Sequence, residues 1–352
     1  MRSTSLILCL CLVACGSDPA QNVAASTSVT PIARDPAATV RCVVRDPLTE
    51  RSAIAPREVT VAAGGLSGAY WLTSAWLVRE QARAASAINA ETAAPLAGDR
   101  WLSFARGSLV EHQSVGDSGR PVRALANACD VRILGTSANA WVIYRRSTQG
   151  CVGGASQGPV TVLRVSANAQ QFDTFSPLGD EAVATLDARL DAGRIVIETT
   201  VAGSREVRSL VLDLEGGNLG QQAGSRVVCP LGGCLSIRTE RDGLQFAPMG
   251  SSSNNWFLST MNGPIRAIAV YADRVLIAQQ EATGPRHSLF LVDAARRRVE
   301  TVYDARSRSA VDVWSEQLQS GTLRLAGTDR GFAAISATIS GDLFAREVDC
   351  EP

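Results

Sequence analysis

From residue 57 onward the chain is a series of short, alternating, β-branched runs separated by clusters of Gly, Asn, Asp and Ser. That rhythm limits the fold to sheet-built architectures, because period-two alternation over four to eight residues suits a strand and not a helix. Candidate strands cover 58–62, 70–78, 100–105, 131–135, 141–145, 160–165, 194–200, 207–214, 235–239, 256–260, 265–271, 274–280, 288–292, 299–303, 323–327 and 333–339. The one candidate helix is the Ala-rich stretch 80–94, stopped by Pro95, which reads equally as a loop insertion. Two segments repeat one pattern of turn, strand, hairpin, strand and acidic turn. Gly193-Arg194-Ile195-Val196-Ile197 leads to Leu210-Val211-Leu212-Asp213, and Asp273-Arg274-Val275-Leu276-Ile277 leads to Phe290-Leu291-Val292-Asp293. Arg194 to Arg274 and Asp213 to Asp293 are both 80 residues.

Eighty residues make two units of about 40, the length of one four-stranded propeller blade. About 313 residues at about 42–45 per blade give around seven blades. In general layout the chain resembles a β-propeller, with about 6–8 four-stranded blades expected. It carries no Trp-Asp signature, no kelch glycine pair and no quinoprotein-type repeat. The alternative all-β arrangement is a tandem pair of β-sandwich domains.

Cysteine usage bears on the same question. Besides Cys15, six cysteines follow residue 15: Cys42, Cys129, Cys151, Cys229, Cys234 and Cys350. An even number in an exported chain reads as disulfides, and six allow 15 pairings. Cys229 and Cys234 enclose Pro230-Leu231-Gly232-Gly233, a tight-turn sequence, and Cys129 and Cys151 flank one apparent hairpin. Cys42 and Cys350 remain, at the two ends of the domain. Joining them would tie the first strand to the last and close a propeller ring. Zinc is the rival reading of Cys229 and Cys234, but only two histidines exist, His112 and His287, and no second cysteine pair has metal spacing. No metal and no cofactor is expected.

The N-terminus suggests where the protein works. Met1-Arg2 is a minimal positive segment and residues 6–14 are an apolar run. Nine apolar residues span only about 14 Å as a helix against roughly 30 Å of bilayer hydrocarbon, so the run reads as a cleavable signal. Leu12-Val13-Ala14-Cys15 resembles the lipobox of bacterial lipoproteins; Cys9 and Cys11 follow leucines and do not fit it. The resemblance implies cleavage before Cys15, a lipidated Cys15 and attachment to the membrane through it. Two or three acyl chains hold firmly where one binds marginally. Gly16, where inner-membrane lipoproteins carry Asp, resembles the class sorted to the outer membrane of Gram-negative bacteria. The expected organisation is therefore a signal peptide over 1–14, a lipidated flexible tether over 15–38 and the propeller-like domain over 39–352. The tether is small, polar and Pro-punctuated, with a random-coil span of about 25–30 Å.

Charge is balanced, 34 basic against 34 acidic residues, and every basic side chain is arginine. No nucleic-acid partner follows from that balance. Arg296-Arg297-Arg298 reads as a solvated turn.

Few residues point to catalysis. Gly116-Asp117-Ser118-Gly119 resembles the nucleophile motif of trypsin-like serine proteases, but Arg120 replaces the glycine that follows. The upstream histidine, His112, is only six residues away. Gly65-Leu66-Ser67-Gly68 lacks the second glycine of a hydrolase elbow. His287 reads as a surface or edge residue at a strand start. Trp71, Trp76, Trp101, Trp141, Trp256 and Trp314 are candidates for core packing or for a contact platform, and the polar loop 250–255 is a candidate binding loop. The leading expectation is a lipid-anchored cell-envelope binding or scaffold module for an envelope protein or a small ligand. The alternatives are an extracytoplasmic hydrolase with its site in the propeller funnel and an orphan structural lipoprotein.

Overall fold

The computed structural model describes residues 30–31, 42–44, the strands between 59 and 95, and residues 100–350 apart from short breaks. The signal segment, Cys15, most of the tether and Gly65 to Gly68 lie outside the described residues.

The described strands form seven four-stranded antiparallel units in chain order. Blade 1 is Val59–Ala62, Tyr70–Thr73, Trp76–Arg79 and Ala84–Ala87. Blade 2 is Thr92–Pro95, Trp101–Ala105, Ser108–His112 and Arg120–Ala124. Blade 3 is Ala128–Gly135, Asn139–Arg146, Gly158–Ser166 and Phe172–Phe175. Blade 4 is Ala182–Asp191, Arg194–Val201, Val207–Leu212 and Asn218–Ala223. Blade 5 is Arg226–Val228, Leu235–Glu240, Gly243–Pro248 and Trp256–Ser259. Blade 6 is Ile265–Tyr271, Arg274–Gln280, His287–Asp293 and Arg298–Glu300.

Blade 7 differs from the others in its connectivity. Arg324–Gly327, Gly331–Ala337 and Leu343–Cys350 come from the end of the chain, and the fourth strand, Cys42–Val44, comes from its beginning. Cys42 lies directly opposite Cys350 in the register, and the two are disulfide-bonded. Cys129–Cys151 and Cys229–Cys234 are the other two bonds. Val302–Asp304 adds to the outside of Cys42–Val44 in parallel.

The first strand of each unit lies on the inside. That of blade 7 packs against those of blades 6 and 1, so the ring closes. This is a β-propeller and not a pair of sandwiches. The approach of blade 7 to blade 6 is close enough to specify a residue. A Cβ at Gly327 would collide with the carbonyl oxygen of Val270, so only glycine fits there.

Alternation explains the core. A blade strand buries both faces, one against each neighbour. In Arg274–Gln280, Val275 and Ile277 join the apolar layer shared with blade 5, while Leu276 and Ala278 face blade 7. In Arg194–Val201, Ile195 and Ile197 join the layer shared with blade 3, and Val196 faces blade 5. These strands therefore read as continuous apolar runs, as expected for sheets covered on both sides.

Two expectations are corrected. The described residues of the Ala-rich stretch 80–94 are strand and not helix: Ala84–Ala87 is the outer strand of blade 1 and Thr92–Pro95 begins blade 2. An isolated helix of that length is marginal, whereas Ala84–Ala87 pairs along its whole length with Trp76–Arg79, which bonds the inward side of its backbone. The run 70–78 is two strands, Tyr70–Thr73 and Trp76–Arg79, paired as a hairpin.

Candidate functional site

The inner strands enclose a channel narrow enough that those of blades 4 and 7 touch. It contains a cavity of about 100 Å³, lined by residues 132–135 of blade 3, 187–191 of blade 4, Arg226 of blade 5, 266–269 of blade 6 and 323–327 of blade 7. Five arginines stand in this wall, Arg132, Arg189, Arg226, Arg266 and Arg324, with Asp187 and Asp191. The inner strands of blades 1 and 2, with sequences VTVA and TAAP, add no charge.

The ion pairs form two groups. Arg132 Nε donates to Asp187 Oδ1 at 2.9 Å. Arg189 donates through Nε to Asp191 Oδ2 at 3.2 Å, through Nη1 to Glu198 Oε1 at 2.9 Å, and through Nη2 to the Val227 carbonyl. Glu198 is shared: its Oε2 lies 3.1 Å from Arg226 Nη1. Arg266 stands apart, its Nε donating to Gln280 Oε1 at 2.7 Å.

These surroundings push the carboxyls in opposite directions. Burial drives Asp191 above the ordinary carboxylate range, and Arg189 and the Cys229 backbone N–H offset this only in part. Asp191 Oδ1 is buried without a hydrogen-bond partner among the described residues. Burial also acts to raise Asp187, but Arg132 and Arg324 outweigh it and hold its carboxyl below the ordinary value. Desolvation acts to lower Arg189, yet Asp191 and Glu198 raise it on balance, so it stays charged. A guanidinium wall of this kind binds oxyanions, because each planar fork matches a carboxylate or phosphate.

The other sequence candidates do not meet at this channel. Ser118 is exposed, and the hydrogen bonds of the His112 ring go to other residues. His112 Nδ1 donates to the Asp117 carbonyl at 2.9 Å, which leaves Nε2 to accept from Ser103 Oγ at 2.8 Å. Ser103 is 1% exposed and His112 5%, so this pair is sealed from any substrate. The Asp117 carboxylate accepts from the backbone N–H groups of Gln113 and Gly119, which hold its pKa below the ordinary value. Gly119 has φ 78°, and a Cβ there would collide with the His112 ring. The sequence Asp117-Ser118-Gly119 is thus a turn built around a buried histidine.

His287 is corrected from surface to core: it is 4% exposed, and Trp314 pairs across its strand. Trp101, Trp141, Trp256 and Trp314 are all buried, and the structure describes no side chain at Trp71 or Trp76. Arg296 and Arg297 are exposed in a turn. Part of the loop 250–255 borders a second, polar cavity of about 420 Å³ with Gln222, Ser236, Arg238 and Gln245. Among the described residues no group of three or more His, Cys, Asp or Glu could hold a metal ion.

The sequence reading missed the channel arginines. Their signal is a charged residue in the first strand of a unit, which becomes visible only once strand order within the blades is known.

No protein-family model matches the chain, and no curated protein sequence matches it. Among solved structures it is similar to oligogalacturonate lyase from Vibrio parahaemolyticus, at 9% identity and TM-score 0.53, over 90% of this chain and 96% of that one. It is also similar to hydrazine synthase from Kuenenia stuttgartiensis, at 11% identity and TM-score 0.50, over 86% and 97% of the two chains. The Pan2 WD40 domain of Neurospora crassa aligns at 8% identity and TM-score 0.39, over 70% and 85%. At these identities the likeness is one of fold and carries no activity.

Proposed function

We propose that this protein is a lipid-anchored binding module of the bacterial cell envelope, held through Cys15 and extended by the tether 16–38. The observation that carries the binding role is the rigid ring with a charged channel, closed by the Cys42–Cys350 bond. Rigid rings with variable loops suit recognition, since the loops and lumen are positioned at little entropic cost. Three disulfides suit an oxidising compartment and support an extracytoplasmic location.

The test has two parts. The full chain and Cys15→Ser are expressed in a Gram-negative host fed an alkyne fatty acid. Label in the outer-membrane fraction for the full chain alone supports the anchor; equal label in both refutes it. Crosslinked envelopes are then used to recover the full chain. A stoichiometric envelope protein supports a docking platform, and recovery of the chain alone removes that partner class and leaves a small ligand.

A second reading, catalysis in the funnel, has one observation in its favour. Asp187 and Asp191 lie on one strand with carboxyls shifted in opposite directions, a pattern that assigns a base and an acid in enzymes. Against it, Asp191 is 1% exposed and held by Arg189, so its proton has no direct path to a ligand in the lumen.

A further inference from the structure

The channel charges are not needed to build a blade. Blades 4 and 6 share one hairpin register: Leu190 pairs with Ile195 and Asp191 with Arg194, as Val270 pairs with Val275 and Tyr271 with Arg274. Eighty residues on from Asp187, Arg189 and Glu198 stand Ala267, Ala269 and Ala278. Blade 6 thus forms the same strands with alanine at each place. Asp191 and Glu198 are buried and Arg132, Arg189, Arg226 and Arg324 half-buried around one small cavity, a desolvation cost that alanine avoids, while Arg266 and Asp187 keep exposed surface. A structural role therefore accounts poorly for the cluster.

The cluster is also unbalanced. Five arginines face Asp187, Asp191 and Glu198, and Glu198 divides its oxygens between Arg189 and Arg226. Arg189 is bonded through all three of its nitrogens, to two carboxylates and a carbonyl, so it positions its neighbours. Arg226 and Arg266 are different. Among the described residues, Arg226 meets a carboxylate through Nη1 only, and Arg266 bonds Gln280 through Nε only. A guanidinium has five donors, so both retain N–H groups beyond these contacts. The cavity between them, about 100 Å³, has room for several waters or one small ligand.

We propose that the channel is a binding site for one compact, multiply charged oxyanion ligand, bearing phosphate or carboxylate groups, held by Arg226 and Arg266. This rests on the binding-module reading and narrows it to a ligand class. Arg132 and Arg324 add positive field across the lumen, moderated by Asp187. The complementary ligand carries two or three negative charges.

The test is calorimetric titration of the detergent-solubilised full chain, at low salt, with inorganic phosphate, with citrate and with glucose as a neutral control. At least one anion is expected to bind saturably at one site, and glucose not at all. Phosphate alone, or citrate alone, tells which group the site takes. Arg226→Gln/Arg266→Gln is expected to weaken binding at least tenfold, and Arg238→Gln, in the second cavity, to leave it unchanged. If the double variant loses its fold by circular dichroism, Arg266→Gln alone serves, because it leaves the Glu198 pairs intact; a fivefold loss is expected. Absence of saturable anion binding by folded wild type, or affinity unchanged in the folded variants, overturns the proposal. The envelope recovery is read separately, so a protein partner with no anion binding would defeat this inference and leave the binding module standing.

Discussion

In blade 6, Arg274 and Asp293 lie opposite each other in the register, at 8% and 5% exposure. Arg274 Nε donates to Glu300 Oε2 at 2.9 Å, and Asp293 receives the Arg296 backbone N–H and guanidinium. In blade 4 the equivalent Arg194 and Asp213 are only half buried. Arg194 reaches the Pro230 carbonyl, and Asp213 caps its own turn by accepting from the N–H groups of Glu215 and Gly217. One local sequence unit thus makes the same hairpin twice, while the neighbouring blade decides how its polar ends are used. Blade 6 borders the seam, where Val302–Asp304 crosses to the outer edge of blade 7, and its charges are covered. Blade 4 has no such cover and places its buried charges at the channel instead.

The largest expected effect separates the seam from the rest of the ring. In the loop-entropy model, the Cys42–Cys350 bond spans 308 residues and contributes about 5–6 kcal/mol, against about 2 kcal/mol for the five-residue Cys229–Cys234 loop. Cys42→Ser/Cys350→Ser is expected to lower the urea midpoint far more than Cys229→Ser/Cys234→Ser. Hydrogen exchange should open blade 7 and then blade 6 before blade 4. Uniform exchange across the ring would mean that burial in blade 6 does not depend on the seam.

Next in size is Glu300→Ala. It removes the carboxylate that Arg274 Nε meets, in a side chain only 9% exposed, and removing one partner of a buried pair costs about 3–5 kcal/mol. Thermal and urea unfolding measure it. A loss below about 1 kcal/mol would show that Arg274 finds other compensation, and that its burial differs from that of Arg194 only in appearance.

Asp213→Ala removes two turn hydrogen bonds in a half-buried setting, at about 0.5–1.5 kcal/mol each at most. Asp293→Ala should cost more, because it also removes the carboxylate that Arg296 pairs with and that lies 3.9 Å from Arg298 Nε beside a buried strand. Equal losses in the two variants would erase the contrast between the blades.

These particulars mark how far the sequence could be read. Strands, hairpins, the blade length and two of the cysteine pairings follow from local signals, and Cys42 with Cys350 follows as the pair left over. Turn residues punctuate each strand, and the two terminal cysteines could meet only if the ring closed. The Ala-rich stretch misled because alanine favours helix in isolation, while a full hydrogen-bond ladder with Trp76–Arg79 outweighs that small preference. His287 misled because its strand looks like an edge until Val313–Trp314 covers it. The channel was unreadable for a similar reason. Arg132, Arg226, Arg266 and Arg324 are separated by up to 192 residues (324 minus 132) and converge only through ring geometry.

The smallest effect is a pH dependence confined to blade 6. Burial lowers the His287 pKa below its ordinary 6.5, and the Arg266 charge adds to this, while Glu281 and the Pro285 backbone oppose it. The folded protein therefore prefers neutral imidazole. For a base with a depressed folded pKa, the stabilising contribution is full above pH 6.5, and it is lost as pH falls through the lower folded value. Blade 4 has Val207 at the matching place, 80 residues earlier, with nothing to titrate. Melting temperatures of wild type and His287→Gln, taken from pH 7.5 to 5.0, should run parallel above about 6.5, the unperturbed histidine pKa. Below it the wild type should fall away from the variant. Arg266→Gln should shrink that divergence by removing the positive neighbour, which ties the channel wall to the blade behind it. Parallel curves over the whole range would mean that His287 takes up its proton alike in the folded and unfolded chain, and the two blades would then be alike in their response to acid.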